Sequence, residues 1–406
     1  MVSRGMDLGG SQTRIGGTKN DICITDSAYM EVSINAPVKE YIQDKYSDFI
    51  IEKHPLETLN GRRFVRGEAL DHYQGKMFVC DNQSNKVEQE PIYTNIAYAL
   101  AKDLDKTFKY LTEVELGVCI PTSEFYSDKK DYPEVLKQHV AGDFSVFFPL
   151  LNRRITFTIA KNSIKVFPEG VVAAFKFKND SQFVNGVSLI VDVGYRSTDI
   201  TVLKRFKPVG KSAVSRPKGG INIEAALMAE LERDNILVTR EEVRSALCTK
   251  YLFSEGRYID ITEVYDEFVD EPDDTRHVSI IRTLRDSGIE TTEDAVTTAE
   301  RTVYINHENI MKDITRQVAA AKKAFASSIK LDIVDVLATQ MLNLGSVNNI
   351  MPIGRPFTGG LSDENSLASI LCKELGSNLR YYSVPSLGTA NVEEIIGVMT
   401  KNDAEV

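Results

Sequence analysis

Residues 189–203 read LIVDVGYRSTDITVL and residues 6–15 read MDLGGSQTRI. Each is an apolar run ending on an aspartate, Asp192 or Asp7, followed by one or two glycines, a few polar residues and a second strand-like run. Glycine lets backbone N–H groups approach a phosphate without a Cβ in the way, and a carboxylate at the strand end can hold a hydrated Mg²⁺. In the first stretch Arg14 can neutralise phosphate oxygens. One such stretch reads equally as a hairpin with an acidic flank. Two in one chain suggest a pair of turns that face each other across a cleft and clamp a triphosphate, Asp7 and Asp192 sharing the metal's water shell.

The rest of the composition limits what such a clamp can belong to. At 406 residues the chain can fill two domains, each with its own core. An apolar fraction of 42% and a charged fraction of 26%, with no long apolar run, exclude a membrane-embedded protein. The opening MVSRGMDLGG lacks the apolar core of an export signal, so a cytoplasmic location is expected. Cys23, Cys80, Cys119, Cys248 and Cys372 are scattered and odd in number, as are His54, His72, His139, His277 and His307, which argues against a disulfide framework or a zinc site. A net charge of −10 opposes direct binding to a nucleic-acid backbone.

Along the chain, the first residues read as an entry strand to Met6, then strands at 13–17 and 22–25. Residues 36 to about 90 lose periodicity and read as an irregular inserted subdomain. Ile96, Ala97, Leu100, Leu104, Phe108 and Leu111 repeat at helical spacing, and a buried strand follows at 114–120, ending at Pro121. Strands are expected at 155–160, 163–167 and 187–193, with a small apolar run at 171–177 and a first-domain end near Gly186. Residues 223–232 and 239–247 read as helices, and 293–326 as a long helix interrupted near Asn306. A strand-and-loop segment is expected around 350–361. Residues 260–274 are acidic with no Lys or Arg, which suits a solvated face or, alternatively, a filament or partner contact.

Two further segments carry possible chemistry. In residues 166–171 a strand runs through Phe167 and Pro168 into Glu169 and Gly170; Glu169 could orient or deprotonate an attacking water, or simply face a helix dipole. In FTGGLSDENSLASIL, residues 357–371, Gly359 and Gly360 stand between a strand and an amphipathic helix, where the missing side chains either leave room for a nucleoside or only cap the helix.

Taken in order, MDLGGSQTR, FPEGVVAA, VDVGYRSTDI, FTGGLS and SLGTANVEEIIG resemble the first phosphate loop, first connecting segment, second phosphate loop, adenosine loop and second connecting segment of the actin, sugar-kinase and heat-shock-chaperone ATPase superfamily. GVCIPTSEFYSDKK, residues 117–130, resembles the ParM-like plasmid-segregation branch. The resemblance implies an α/β, two-domain actin-like (ribonuclease H-like) fold with a nucleotide cleft between domains. It places domain I at 1–188 with a subdomain at 36–90 and the 385–406 segment packing back on it, and domain II at 189–384 with a subdomain at 226–324.

By matching position, the resemblance implies that Asp7 and Asp192 bind Mg²⁺ through water and that Glu169 positions the nucleophilic water. Gly9, Gly10, Ser11, Arg14 and Gly194 would contact phosphates, Gly219 and Gly220 of KGGINIE would lie against the nucleotide, and Gly359 and Gly360 would border base and ribose. Tyr195 and Arg196 stand where many relatives have small residues, and TGG replaces a triple glycine, which leaves ATP and GTP both open. The implied function is an ATPase or GTPase that forms dynamic filaments for plasmid partition. Its partners would be other copies of itself and a ParR-type adaptor on centromere-like DNA, with neither direct nucleic-acid binding nor membrane contact. The alternatives are a sugar or acetate kinase, a chaperone ATPase, and an actin-like protein with another cellular role.

Overall fold

In a computed structural model the described residues are 1–402 except 81–84, 108–111, 269–272, 309, 358–360, 362, 377 and 385–388. The chain divides into two compact units, Met1–Pro217 with Thr389–Val406, and Lys218–Gly388. This division falls after Pro217, whereas the motif order places a boundary at 188/189; the hairpin made by residues 188–204 thus lies with the first unit.

Three parallel strands organise the first unit. Val2–Leu8 pairs in parallel with Thr112–Ile120, which pairs in parallel with Ile164–Pro168. The middle strand is buried from Val114 to Ile120, as expected of a strand covered on both faces. Gln12–Gly16 and Ile22–Asp26 extend the sheet antiparallel beyond Val2–Leu8. On the far side Arg153–Ile159 joins the start of Thr112–Ile120 and leads through Gly142–Phe148, Asp48–Lys53, Arg62–Val65 and Tyr29–Val32 to Lys76–Phe78.

The expectation of an irregular insertion at 36–90 is corrected in part: among loops and turns it carries three strands of that antiparallel sheet, Asp48–Lys53, Arg62–Val65 and Lys76–Phe78. Its strands are only three to six residues long, two of them directly after a glycine, Gly61 at φ +76 and Gly75, so period-two alternation has too little length to register. The helix Glu90–Thr107 buries Ile96, Ala97, Leu100 and Leu104 as their spacing predicts; Phe108 and Leu111 lie outside the described residues.

A second helix, Ala390–Asn402, packs on Val2–Leu8 and Thr112–Ile120. Two glycines make that approach possible. A Cβ at Gly117 would lie 2.3 Å from Met399 Sδ, and one at Gly5 would lie 2.8 Å from Ile396 Cγ1, so a larger residue at either place would push the helix off the sheet.

The second unit is mainly helical. The helix Thr315–Thr339 buries Val318, Ala321, Phe325, Ile329, Ile333 and Val336 on one stripe and packs against Gly220–Arg233 and Leu367–Leu375. The helical stretch expected at 293–326 is interrupted around Asn306, as its sequence suggests. Helix Glu293–Arg301 ends, a hairpin Tyr304–His307/Ile310–Asp313 intervenes with Glu308 at φ +53, and a helix restarts and runs on to Thr339. The acidic 260–274 stretch contains the helix Thr262–Phe268 and the start of Asp273–Asp286, with 269–272 outside the described residues. Tyr265 from it reaches a core with Leu252, Ile280, Leu284 and Val296. Asn349–Ile353 pairs in parallel with Arg380–Tyr381. Among the described residues no helix is long and apolar enough to cross a membrane.

Candidate functional site

In a parallel sheet the carboxyl ends of the strands share one edge, and ligands of α/β folds bind there. Here that edge collects acids from separate parts of the first unit. Asp7 lies near the end of Val2–Leu8, in register with Cys119, which is in register with Phe167. Glu169 follows immediately, its N–H donating to the Ile120 carbonyl at 2.8 Å and its own carbonyl accepting from the Thr122 hydroxyl. Asp192 sits opposite Asp199 in the hairpin Ser188–Val193/Thr198–Lys204.

Gly170 connects the two groups. It has φ +73, a region that favours glycine, and a Cβ on it would lie 3.4 Å from Asp192 Oδ2. Its N–H donates to Asn391 Oδ1 at 3.0 Å, and Asn391 Nδ2 donates to Asp192 Oδ2 at 3.4 Å. The last helix thus braces Glu169's neighbour and Asp192 through one side chain.

The acids interact strongly. Burial, reinforced by Asp7, Asp199 and Asp192, raises the Glu169 carboxyl to about 8 although Lys86 acts in the opposite sense. Burial followed by Asp199 and Asp7 raises Asp192 to about 7, and burial raises Asp199 to about 6 against the pull of Lys86 and a hydrogen bond from Ser215. Lys86, whose Nζ lies 3.2 Å from Glu169 Oε2, loses hydration by burial, yet Glu169 and Asp7 more than offset that and hold its ammonium charged far above the usual lysine range. Apart from the Arg14 guanidinium beside Asp7, one ammonium serves the whole cluster, so Glu169, Asp192 and Asp199 remain short of positive charge.

The first turn is built around Asp7. Arg14 is in register with it and donates from Nη1 to Asp7 Oδ2 at 3.3 Å, while the Cys119 thiol donates to Oδ1 at 3.2 Å. A Cβ at Gly9 would stand 2.4 Å from the Gln12 carbonyl oxygen, so only glycine fits; at Gly10 it would meet nothing within 4 Å. Ser27 closes the turn by donating from its hydroxyl to the Gly9 carbonyl at 2.8 Å and from its N–H to the carbonyl of exposed Ser11. In the second turn the Gly194 N–H donates to the Ser197 carbonyl at 2.9 Å, and Arg196 Nη1 donates to the Cys80 carbonyl at 2.7 Å.

Asp7, Glu169, Asp192, Gly9, Gly10, Ser11, Arg14 and Gly194 are all in the first unit. Gly219 and Gly220 are in the second, where Gly219 caps the helix Gly220–Arg233 and its N–H donates to Asn222 Oδ1 at 2.9 Å. Gly359 and Gly360 lie outside the described residues. Lys86, Asp199 and Asn391 are in the cluster without having been expected as site residues. No local pattern marks Lys86, whereas Asp199 could have been found by pairing the two strands of the second motif around its turn.

Among the described residues, no group of three or more His, Cys, Asp or Glu side chains is arranged to hold a metal ion. That donor set does not fit a directly coordinated ion. It does fit a hydrated Mg²⁺, which binds through one or two carboxylates plus phosphates and keeps several waters. Asp199 Oδ1, buried with no hydrogen-bond partner, adds to the unmet demand for a donor or a cation.

Among solved structures, the chain is similar to an archaeal actin homologue, Ta0583, at 15% identity and a TM-score of 0.65, over 99% of this chain and 100% of that one. It is similar to the actin-like protein Alp7A at 13% identity and a TM-score of 0.64, over 99% and 98%. It is also similar to ParM from a 15-stranded filament of Clostridium botulinum, at 16% identity and a TM-score of 0.57, over 98% and 99%. A complex of Ta0583 with ADP matches at 15% identity and a TM-score of 0.58, over 99% and 100%. No family model and no curated protein matches the sequence. The fold is that of actin homologues, as the order of the motifs leads one to expect.

Proposed function

We propose that this chain is a nucleotide-dependent actin-like protein that binds ATP or GTP with Mg²⁺, hydrolyses it, and assembles into filaments that partition plasmids. The observation that carries this reading is the buried acid cluster at the carboxyl edge of the three parallel strands, with a glycine turn following Asp7 and another following Asp192. Asp7 and Asp192 would hold a hydrated Mg²⁺ through its waters, and Gly9, Gly10, Ser11, Arg14 and Gly194 would bind the phosphates. Gly219, Gly220, Gly359 and Gly360 would serve the nucleoside. When bound, the cation would neutralise charge on the phosphate oxygens.

Glu169 would align a water in line with the terminal phosphate and accept its proton, a role that a raised carboxyl pKa near the working pH favours. Positioning and charge neutralisation supply most of what phosphoryl transfer needs. The known structures that support the filament reading are the ParM filament and the other actin homologues. A heterologous contact that does not close would extend the filament, and a ParR-type adaptor would join its end to DNA.

The test combines nucleotide binding, phosphate release, light scattering and electron microscopy with ATP, GTP and a slowly hydrolysed analogue. Asp192→Asn is expected to lower phosphate release about 100-fold or more. Filaments should form with nucleotide and shorten after hydrolysis. Unaltered hydrolysis in the Asp192 variant refutes the site, and phosphate transfer to a sugar in place of water would establish the kinase alternative.

A further inference from the structure

Lys86 is fixed more firmly than a surface counter-ion needs to be. The Glu124 carboxylate accepts the Lys86 N–H at 2.6 Å and the Val87 N–H at 3.0 Å, the Tyr93 hydroxyl donates to the Val87 carbonyl, and the Val87 side chain is in the core. Glu124 comes from the 117–130 segment, one turn beyond the strand that carries Cys119, so the ammonium is set from the same sheet that sets Asp7 and Glu169. Lys86 Nζ takes Glu169 Oε2 at 3.2 Å, while Glu169 Oε1 has no protein partner among the described residues.

We propose that Lys86 is a positioning residue for hydrolysis: it holds Glu169 with Oε2 engaged and Oε1 presented to the attacking water. This rests on the reading of the site given under Proposed function. As the water oxygen bonds to the terminal phosphorus, its proton passes to Glu169 Oε1 and the bridging P–O bond breaks, leaving nucleoside diphosphate and orthophosphate. The proton then leaves to solvent. A neutral side chain at 86 would leave Glu169 among three acids with nothing to fix its rotamer, while the phosphate-binding turns at Gly9 and Gly194 would be untouched.

The experiment measures ADP binding by calorimetry with Mg²⁺, and steady-state phosphate release from ATP and GTP, in wild type, Lys86→Met, Lys86→Arg and Glu124→Gln. Lys86→Met is expected to lower kcat about 100-fold with KM and ADP affinity within about threefold of wild type. Lys86→Arg should recover part of the loss, since it keeps the charge but not the ammonium geometry, leaving kcat about tenfold down. Glu124→Gln should lower kcat about fivefold, because it loosens the backbone that carries the ammonium. Wild-type kcat in Lys86→Met, or a loss of ADP affinity as large as the loss of kcat, overturns the proposal and leaves the site reading standing. Should Lys86→Met not fold, full kcat in Lys86→Arg together with Glu124→Gln overturns it equally. A wild-type protein that neither binds ADP nor releases phosphate defeats the site reading itself.

Discussion

Two groups of buried charge in the first unit follow opposite rules. Arg63 and Asp48 form a matched pair, with Nε to Oδ1 at 2.9 Å and Nη2 to Oδ2 at 2.5 Å, and Tyr73 also donates to Asp48 at 3.1 Å. Arg63 lies over the Tyr73 ring, and its guanidinium is held charged first by the Asp48 hydrogen bonds. There one cation answers one anion, and every strong donor of the fork has an acceptor. At the carboxyl edge of the parallel strands, Arg14 pairs with Asp7, and the one further cation, the Lys86 ammonium, must answer Glu169, Asp192 and Asp199. The first arrangement is what a protein builds to keep a shape. The second costs stability in the isolated protein and has a use only if something positive, or something that brings a cation with it, arrives.

The contrast can be broken at either end. The largest effect is expected from Arg63→Met, which strands a fully buried carboxylate and should cost about 3–5 kcal/mol, measured by denaturant unfolding, with ADP affinity unchanged. If that variant is as stable as wild type, the matched pair is not structural and the comparison fails.

Removing an acid from the other group should do the reverse. The Asp192 carboxyl is held at about 7 when folded, against about 3.9 in an unfolded chain. A raised acid contributes stability that is fully present below the unfolded value and is lost as pH rises through the folded one. Asp192→Asn is therefore expected to melt about 3 °C above nucleotide-free wild type at pH 8 and to show little difference at pH 4. An equal or lower melting temperature at pH 8 would mean that the acids are better compensated than their surroundings suggest. A smaller effect is expected at the connection between the groups of acids. Gly170→Ala places a side chain at φ +73 and a Cβ beside Asp192 Oδ2, and should cost about 1–2 kcal/mol in the same unfolding assay.

How much of this could be read in advance depends on the distance over which each feature is encoded. Asp7 and Asp192 were legible because a strand, a carboxylate and a glycine turn occupy ten consecutive residues, and Gly9 in particular is required by the chain only three residues ahead of it. Glu169 was legible because it follows a strand and precedes a glycine. Lys86 was not, since what gives it meaning is Glu169 far along the chain and Glu124 between them. Asn391 sits within a segment that resembles a known connection, yet its two hydrogen bonds, to Gly170 and Asp192, exist only once the last helix has docked. The inserted strands failed for a different reason: four residues such as Arg62–Val65 are too few to display a period, and their partners are supplied by Asp48–Lys53 and Tyr29–Val32.

The docking of the Ala390–Asn402 helix against Gly5 and Gly117 has a consequence for biosynthesis. A growing polypeptide can pair the Val2–Leu8, Thr112–Ile120 and Ile164–Pro168 strands well before the Ala390–Asn402 helix is made. The helix that covers them, and the amide that braces Asp192, are made long after those strands. Until that helix is made, the nascent chain holds a sheet with one face uncovered and its acids unbraced, and two small residues mark the place kept open for it.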